Sequence, residues 1–410
     1  MTVPLARNRK FGNDSLLGPR ERNHSLKSPL VVDLDGTLTP TDTLVESVIQ
    51  FVKQSPLNLL KLPFWLIKGR AAFKEELALR TAIVPALLPY RPALLAYLQQ
   101  EKDTGRWIIL ATAAHRSIAE GVATHLGLFD AVLATDANRN LKGKFKLDAI
   151  RSHVGDKFVY AGDSSVDMPI WKCSEAAILV GASPTLTHLI RQQVPIEKEF
   201  PEEAGYAVWI KALRVHQWLK NLLLFVPLLT AFSFTQISAL TSILLAFFAF
   251  SFAASATYIV NDLWDLQSDR SHPRKRLRPF ACASLPILQG LAAASILIIF
   301  ALIIALVVSK AFFLMLVLYV VLTSAYSWAL KEYVLIDVIM LSILYTLRIL
   351  AGAVAIGVST SSWLLAFSVF IFLSLALVKR CSKLVSLRAY LSRPVARQVM
   401  MPQARWRKAR

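Results

Sequence analysis

The chain has 410 residues, a hydrophobic fraction of 55% and a formal net charge of +19. A charge this basic can indicate nucleic-acid binding, but the sequence has no zinc-finger spacing and no aromatic-basic repeat. Its basic residues cluster beside apolar runs and in both tails, which favours an anionic membrane face and phosphate-bearing ligands over nucleic acid. Cys173, Cys282 and Cys381 fit no disulfide framework or metal motif, so a reducing cytoplasm is compatible.

Composition divides the chain into five segments. Residues 1–28 carry charge without an apolar core, which is not typical of a secretory signal, and we expect a flexible basic tail. Residues 29–185 have the pattern of an α/β domain, and residues 212–387 hold long uncharged apolar runs. A polar linker is predicted at 186–211 and a second basic tail at 388–410.

In the soluble half, short apolar strands alternate with helices, and polar residues follow the strands. The strand from Pro29 to Val32 runs into DLDGTLT, the strand from Arg106 to Leu110 is followed by a threonine, and the strand from Phe158 to Ala161 runs into GDSSVD. The carboxyl ends of parallel strands are where α/β sheets bind ligands. The polar residues at these stations, together with a lysine at a helix start, are Asp33, Asp35, Thr112, Lys146, Asp163 and Asp167.

These four stations, in this order, resemble the haloacid dehalogenase-like (HAD) phosphatase superfamily near its phosphoserine-phosphatase-like branch, over about Pro29 to Ser183. The resemblance implies a Rossmann-like fold acting on a phosphorylated small molecule. Asp33 would be the nucleophile and Asp35 the general acid and base, with Thr112 and Lys146 contacting the phosphoryl group. It also implies Mg²⁺ held by Asp33, Asp163 and the carbonyl of Asp35, supported by Asp167.

A helical insertion at about 43–90 is expected to be a cap over this site. Its stretch LLKLPFWLIKGRAAFK is both apolar and basic. It could be ordinary cap core or a surface that lies on a membrane, and we favour core.

The second half contains about six runs long enough to span a membrane. They are about Leu222–Leu240, Thr241–Val260, Leu285–Val308, Ala311–Leu330, Val334–Gly357 and Trp363–Val378. With the first run starting in the cytoplasm, the strongly basic connections all face inward. We therefore expect a bacterial inner-membrane protein with a cytoplasmic N-terminal domain.

The stretch NDLWDLQSDRSHPRKRLRP, Asn261 to Pro279, lies between two of these runs. Asp262, Asp265 and Asp269 are spaced three and four residues apart, so in one helix they would share a face and suit Mg²⁺. The basic side chains that follow fit phosphate oxygens. Those assigned to phosphate are Arg274, Lys275, Arg276 and Arg278. The alternative is a charged loop that only sets orientation.

Other charges stand at or within the apolar runs. Arg214 and Lys220 precede the first run, either as interfacial anchors or as further phosphate contacts. Asp337 and Arg348 lie inside one run, where ionisable side chains face a cavity or pair with a neighbouring helix.

Together, ALRVHQWLKN, the acidic stretch, YSWALKEYVLIDV with Arg348, and LALVKRCSKL resemble the UbiA superfamily of intramembrane prenyltransferases. The extension DRSHPRKRLRP is most similar to its decaprenyl-phosphate phosphoribosyltransferase-like branch. The resemblance covers about Ala212 to Leu387. It implies a Mg²⁺-dependent transferase for a polyprenyl phosphate or diphosphate, with Asn261 among the metal and phosphate ligands.

The sequence thus predicts a multidomain protein: a HAD-type phosphatase domain with a helical cap, followed by an all-α transmembrane bundle. After Leu387 the sequence contains neither an acidic residue nor an apolar run. This break is typical of a truncation or a shifted reading frame, and relatives carry a second Asp-rich motif beyond it. The alternative function is therefore a phosphomonoesterase whose membrane part is only an anchor.

Overall fold

In the computed structural model, the described residues are 27–136, 139–201, 205–328 and 333–391. Both predicted basic tails lie almost wholly outside these ranges. The chain folds as two compact units, one comprising Met1–Leu38 and Pro92–Pro201 and the other Thr39–Arg91 and Glu202–Arg410.

The elements follow one another in α/β order in the first half and are entirely helical in the second. Up to residue 200 they are β1 (Leu30–Val32), α1 (Thr43–Gln54), α2 (Leu62–Ile67), α3 (Arg70–Arg80), α4 (Pro92–Asp103), β2 (Ile108–His115), α5 (Arg116–Leu126), β3 (Ala131–Thr135), α6 (Lys144–Val154), β4 (Val159–Gly162), α7 (Met168–Trp171), β5 (Ala176–Val180), α8 (Pro184–Arg191) and β6 (Ile196–Phe200). Beyond it are α9 (Tyr206–Leu213), α10 (Val226–Thr230), α11 (Ile237–Trp264), α12 (Leu266–Ser271), α13 (Ile287–Val308), α14 (Lys310–Trp328), α15 (Val334–Ile356) and α16 (Ser362–Leu391).

The first unit is built on a parallel six-stranded sheet of order β3-β2-β1-β4-β5-β6. The chain winds outward from β1 on one side and from β4 on the other. Loops leaving these two strands diverge, and such a switch point opens a crevice for ligands. Val32 is paired with Ala161, so the residues that follow β1 and β4 emerge side by side.

The predicted linker is wrong in part, because it contains β6, which pairs in parallel with β5. Strand β6 reads IEKEF, and its three central charged residues are exposed. Charged side chains on an edge strand discourage pairing with another chain. Arg106, whose side chain is almost fully buried, holds it through two hydrogen bonds to Glu197 of 2.6 and 3.0 Å.

In the second unit, five helices are long and apolar enough to cross a membrane, counting only the described residues: α11, α13, α14, α15 and α16. The first of the six predicted spans is not a continuous α-helix. Val215–Phe225 is a 3₁₀ helix, α10 follows with Pro227 near its start, and Phe232 has a left-handed backbone.

This irregular segment runs antiparallel along α11. Trp218 Nε1 donates to Ser255 Oγ at 3.0 Å, and Asn221 Nδ2 donates to Ser251 Oγ at 3.0 Å. Farther along, the ring of Phe225 lies 5.9 Å from that of Phe247. The segment is thus packed into the bundle although it lacks α-helical winding.

The predicted cap insertion is helical, comprising α1 to α3, and it belongs to the second unit. Its apolar stretch was expected to be core, and the structure contradicts this. None of the residues of α2 is buried, and Ile67 is 83% exposed. The alternative of a surface segment is the one that fits.

Candidate functional sites

The first site lies at the switch point of the sheet. Asp33 directly follows β1, and Asp163 directly follows β4. Carboxylate oxygens of Asp33, Asp163 and Asp167 all lie within 4.8 Å of one another. The structure therefore brings together three of the predicted acidic residues.

Lys146, on the first turn of α6, reaches into this cluster. Its Nζ lies 2.8 Å from Asp33 Oδ2 and 3.8 Å from Asp167 Oδ1, and it donates to the hydroxyl of Tyr160 at 3.0 Å. That hydroxyl in turn donates to Asp167 Oδ1 at 3.0 Å. Sequence reasoning missed Tyr160 because it lies inside a strand and looks like core.

Burial and crowding shift the proton affinities of the cluster. Burial, with the charges of Asp33 and Asp167, raises the pKa of Asp163 to about 7. Burial likewise raises the pKa of Asp167 above its usual range. Burial alone would lower the pKa of Lys146, but the Asp33 and Asp167 carboxylates outweigh it and the pKa is raised.

This carboxylate set suits a hard divalent cation. The Oδ2 atom of Asp167 is buried and has no hydrogen-bond partner among the described residues. A buried acceptor without a donor is costly unless a cation or water meets it. Mg²⁺ prefers such carboxylate oxygens, so the residues fit the predicted ion.

The remaining predicted residues of this site are placed differently. Thr112 is fully buried within β2, and its Oγ1 accepts from the Ala114 amide at 3.0 Å. Asp35 is half-buried two residues after Asp33, outside the three-carboxylate cluster. Gly36 has a φ of +81°, and a side chain there would overlap the carboxylate of Asp163.

The second site is a cavity of about 350 Å³ in the helical unit. Predicted residues that line it are Arg214, Lys220, Asn261, Asp262, Asp265, Lys275, Arg278 and Arg348. Its other lining residues are Tyr258, Tyr319, Thr323, Tyr326, Ser327, Leu341, Leu344 and Tyr345. A pocket where cations converge beside tyrosine rings and two leucines suits an anionic ligand that has an apolar part.

Asp262 and Asp269 are joined through one guanidinium group. Arg278 Nη1 lies 3.0 Å from Asp262 Oδ1 and 2.6 Å from Asp269 Oδ2. Arg214 adds a 2.6 Å contact to Asp262, and it does so from a left-handed backbone with φ of 52°. A non-glycine residue in this conformation is strained, and such strain is concentrated at functional sites.

The spacing of Asp262, Asp265 and Asp269 predicted that they share one face of a single helix. The structure shows that they do not lie on one continuous helix. Helix α11 ends at Trp264, and Asp265 is its C-cap, with φ −92° and ψ 12°. Asp265 lines the cavity, whereas Asp269 lies beyond the break in α12, almost fully buried.

Among the described residues, Asp262, Asp265 and Asp269 do not form a three-carboxylate cluster like that of the first site, but carboxylate oxygens here remain suited to Mg²⁺. The Oδ1 atom of Asp269 is buried and accepts no hydrogen bond from the described residues, and the Lys275 ammonium is 3.6 Å away. Asp262 and Asp265 offer carboxylates to the cavity beside it. A carboxylate pair completed by phosphate oxygens is a usual Mg²⁺ environment.

Arg348 is buried inside the bundle, and three of its five N–H groups are hydrogen-bonded. It donates to Asn221 Oδ1 at 3.0 Å, to the Tyr319 hydroxyl at 2.8 Å and to the Leu344 carbonyl at 2.7 Å. Its guanidinium also lies 5.3 Å from the ring centroid of Tyr345. A rigidly held cation of this kind can bind an anion with little reorganisation.

Three residues predicted to belong to the substrate site do not line the cavity. Arg274 and Arg276 are exposed, outside its lining. Asp337 instead accepts from the Tyr326 hydroxyl at 2.6 Å and from Arg380 Nη1 at 3.1 Å. This is the helix–helix ion pair that the sequence left open as an alternative.

Sequence reasoning missed the tyrosines and small polar residues of the cavity wall. The sequence does indicate some of them, because Tyr319, Thr323 and Tyr326 recur at helical spacing in an apolar run. Leu341, Tyr345 and Arg348 repeat the same spacing on the next helix. In a membrane helix, polar residues that share one stripe mark a face turned away from lipid.

Comparison with known proteins identifies both halves. The UbiA prenyltransferase family model matches residues 222–390, and the haloacid dehalogenase-like hydrolase model matches residues 30–172. An uncharacterised protein of Sinorhizobium fredii, y4nM, is 39% identical over 86% of this chain and 69% of its own length.

A decaprenyl-phosphate phosphoribosyltransferase of Mycobacterium tuberculosis is 34% identical over 43% of this chain and 59% of its own length. The chain therefore spans about three fifths of that transferase. Among solved structures, a UbiA homolog from Archaeoglobus fulgidus bound to DMAPP and Mg²⁺ is 21% identical, with a TM-score of 0.36, over 41% of this chain and 60% of its own.

Proposed function

Because the chain belongs to the UbiA prenyltransferase family and carries an N-terminal haloacid dehalogenase-like hydrolase domain, we propose that it is a Mg²⁺-dependent membrane transferase fused to a phosphatase. The transferase substrate is a polyprenyl phosphate or diphosphate. The observation that carries the proposal is the cavity, where Asp262 and Asp265 converge with Arg214, Lys220 and Arg278.

In the phosphatase domain, Asp33 attacks the phosphorus of a phosphomonoester and forms an aspartyl phosphate, while Asp35 protonates the departing alcohol. Asp35 then takes a proton from water, which attacks the phosphorus and releases inorganic phosphate and free Asp33. Lys146, 2.8 Å from Asp33, balances the negative charge that develops on the phosphoryl oxygens.

In the transferase domain, Arg214, Lys220 and Arg278 bind the phosphate oxygens of the donor, while Asp262 and Asp265 hold the metal. Asn261 and Asp269 support this metal site. Mg²⁺, when bound at either site, neutralises phosphate charge and weakens the bond to the leaving group. In prenyl transfer the diphosphate leaves an allylic carbon, and the acceptor bonds to that carbon and loses a proton. In phosphoribosyl transfer pyrophosphate leaves the anomeric carbon of the sugar, and an oxygen of the lipid phosphate bonds to that carbon.

We propose that the protein lies in the bacterial inner membrane with its phosphatase domain in the cytoplasm. The connection between α11 and α13 carries Arg270, Arg274, Lys275, Arg276 and Arg278, whereas the turn between α13 and α14 carries only Lys310. Such asymmetry favours the basic connection facing inward. A shared face would let the phosphatase act on a phosphorylated lipid made by the transferase.

The test uses two single substitutions in proteoliposomes, each serving as the folding control for the other. The substrates are polyprenyl phosphate with phosphoribosyl diphosphate, or an allylic diphosphate with a phenolic acceptor. Asp262→Asn is expected to lose transfer more than a hundredfold and keep hydrolysis of phosphomonoesters. Asp33→Asn is expected to lose hydrolysis, keep transfer and accumulate a phosphorylated lipid.

The outcomes separate the alternatives. If the unmutated protein transfers nothing from either donor but hydrolyses phosphomonoesters, it is a membrane-anchored phosphatase and the transferase proposal fails. If Asp33→Asn accumulates no phosphorylated lipid, the two domains do not act in sequence.

A further inference from the structure

The stretch Pro56–Ile67 displays an apolar surface that no described residue covers. It is a short apolar helical segment, made of a 3₁₀ turn over Pro56–Lys61 followed by α2. Six of its large apolar side chains are between 55% and 83% exposed: Leu57, Leu59, Leu60, Phe64, Leu66 and Ile67. A contiguous surface of this kind marks contact with protein or membrane.

The backbone beneath this surface is anchored, so the side chains are held outward. Asn58 is buried and donates from Nδ2 to the Phe51 carbonyl at 3.0 Å. The ring of Trp65 packs 4.9 Å from that of Phe51 and 4.8 Å from the Arg80 guanidinium. The segment is therefore attached through two points, and its leucines are not a collapsed core.

The preceding helix fixes the level of the segment relative to the membrane helices. Val45 and Ile49 of α1 pack against the apolar cluster that includes Leu263. Lys53, in the last turn of α1, donates to the Trp264 carbonyl at 2.8 Å. Trp264 ends α11, just past its apolar run, so the stretch starts where that helix leaves the hydrocarbon.

Charge and length fit a bilayer surface. No acidic residue occurs between Glu46 and Glu75, whereas Lys61, Lys68 and Arg70 interrupt or follow the apolar side chains. An apolar helical stretch of 12 residues is too short to cross a bilayer. Basic and apolar residues together on such a stretch are typical of an interfacial segment.

We propose that Pro56–Ile67 lies in the headgroup region of the bilayer beside the membrane helices, with its leucines and Phe64 toward the acyl chains. Lys68 extends to the lipid phosphates, as long cationic side chains do at membrane interfaces, while Lys61 donates to Asn58 Oδ1 at 3.0 Å and keeps its charge at the same surface. The partner of this surface is lipid. The inference depends on the helical unit alone and on neither catalytic activity.

The test measures lipid contact in the full chain reconstituted into vesicles of three parts neutral to one part anionic phospholipid. Nitroxide labels are attached to Leu60→Cys, Phe64→Cys or Ile67→Cys in protein whose native cysteines are replaced. Collision rates with oxygen, which concentrates in lipid, and with a water-soluble nickel chelate are compared. We expect oxygen collisions to exceed nickel collisions severalfold at all three positions.

Two labelled positions calibrate the scale. Ile299, 54% exposed on α13, reports lipid, and Asp156, whose side chain is 84% exposed in a loop of the α/β unit, reports water. Values at Leu60, Phe64 and Ile67 that match Asp156 would overturn the proposal. Low collision rates with both reagents would also overturn it, because they would mean that another protein or a second copy covers the surface.

Discussion

The ion pair between Glu46 of α1 and Arg270 of α12 offers the sharpest test of how α1 is attached to the membrane helices. Arg270 donates to both carboxylate oxygens of Glu46, at 2.8 and 2.7 Å. Their side chains are only 5% and 4% exposed. Arg270 Nε also donates to the Ala281 carbonyl at 2.9 Å, and Thr41 donates to Glu46 at 2.5 Å.

Glu46→Gln keeps the shape of the side chain and removes its charge. It leaves the buried guanidinium without a counterion, which costs roughly 3 kcal/mol or more. Since each 1.4 kcal/mol is a factor of ten, the equilibrium for detachment of α1 should rise roughly a hundredfold. The double substitution Glu46→Met with Arg270→Met removes both charges and should recover most of this loss.

Amide hydrogen exchange of the peptide covering α1, followed by mass spectrometry in nanodiscs, measures this detachment directly. Glu76→Gln is the matched control, because Glu76 pairs with Arg80 at a solvent-accessible position. That exposed pair contributes less than about 1 kcal/mol, so exchange in the control should change less than about fivefold. If Glu46→Gln behaves like Glu76→Gln, the ion pair does not hold α1 and the reasoning is refuted.

Three further outcomes are expected. Gly352→Ala places a methyl group against the Leu224 carbonyl and should lower the midpoint of heat-induced aggregation in detergent by several degrees, whereas Gly205→Ala, with open space around it, should not. Gly36→Ala should abolish phosphatase activity and leave transfer intact, because its methyl group overlaps the Asp163 carboxylate. Burial raises the pKa of Asp163 to about 7, so the folded metal-free α/β domain is favoured most when this carboxyl is protonated. The free energy of unfolding of that domain should therefore fall as the pH rises from about 4 to 7. Mg²⁺ should therefore raise the domain's melting temperature more at pH 8 than at pH 6, and equal shifts would contradict the burial of Asp163.

The position of the carboxylate cluster at the sheet edge could be predicted because its residues follow apolar strands. Asp33 and Asp163 come directly after buried strands, and parallel strands must place such residues at one edge. Strand β6 escaped prediction because its exposed residues, Glu197 to Glu199, have the composition of a linker. An edge strand takes its stability from pairing on one side, which leaves little hydrophobic signal.

The second unit, which includes the cap insertion, was less predictable for a different reason. An apolar side chain that is exposed at a surface and one that is buried in a core cannot be told apart by composition, so Leu60 and Phe64 were expected to be core. The acidic spacing indicated the cluster but not the break of the helix at Asp265, which depends on tertiary contacts such as that of Arg278 with Asp262. The position of Arg348, with polar partners inside the bundle, was predictable because a charged side chain in an apolar run needs such partners.

The 3₁₀ winding of Val215–Phe225 has a consequence for length. The eleven steps from Arg214 to Phe225 rise about 2.0 Å each, or about 22 Å in all. Helix α11 covers the same height in the fifteen steps from Phe247 to Asp262, at about 1.5 Å each. The length of the segment is therefore fixed at both ends, by the Arg214–Asp262 ion pair and by the Phe225–Phe247 ring contact. One inserted residue would turn the remaining side chains by about 120°, so the two ends could not be kept together. We expect proteins built on this plan to vary the composition of this segment and to keep its residue count.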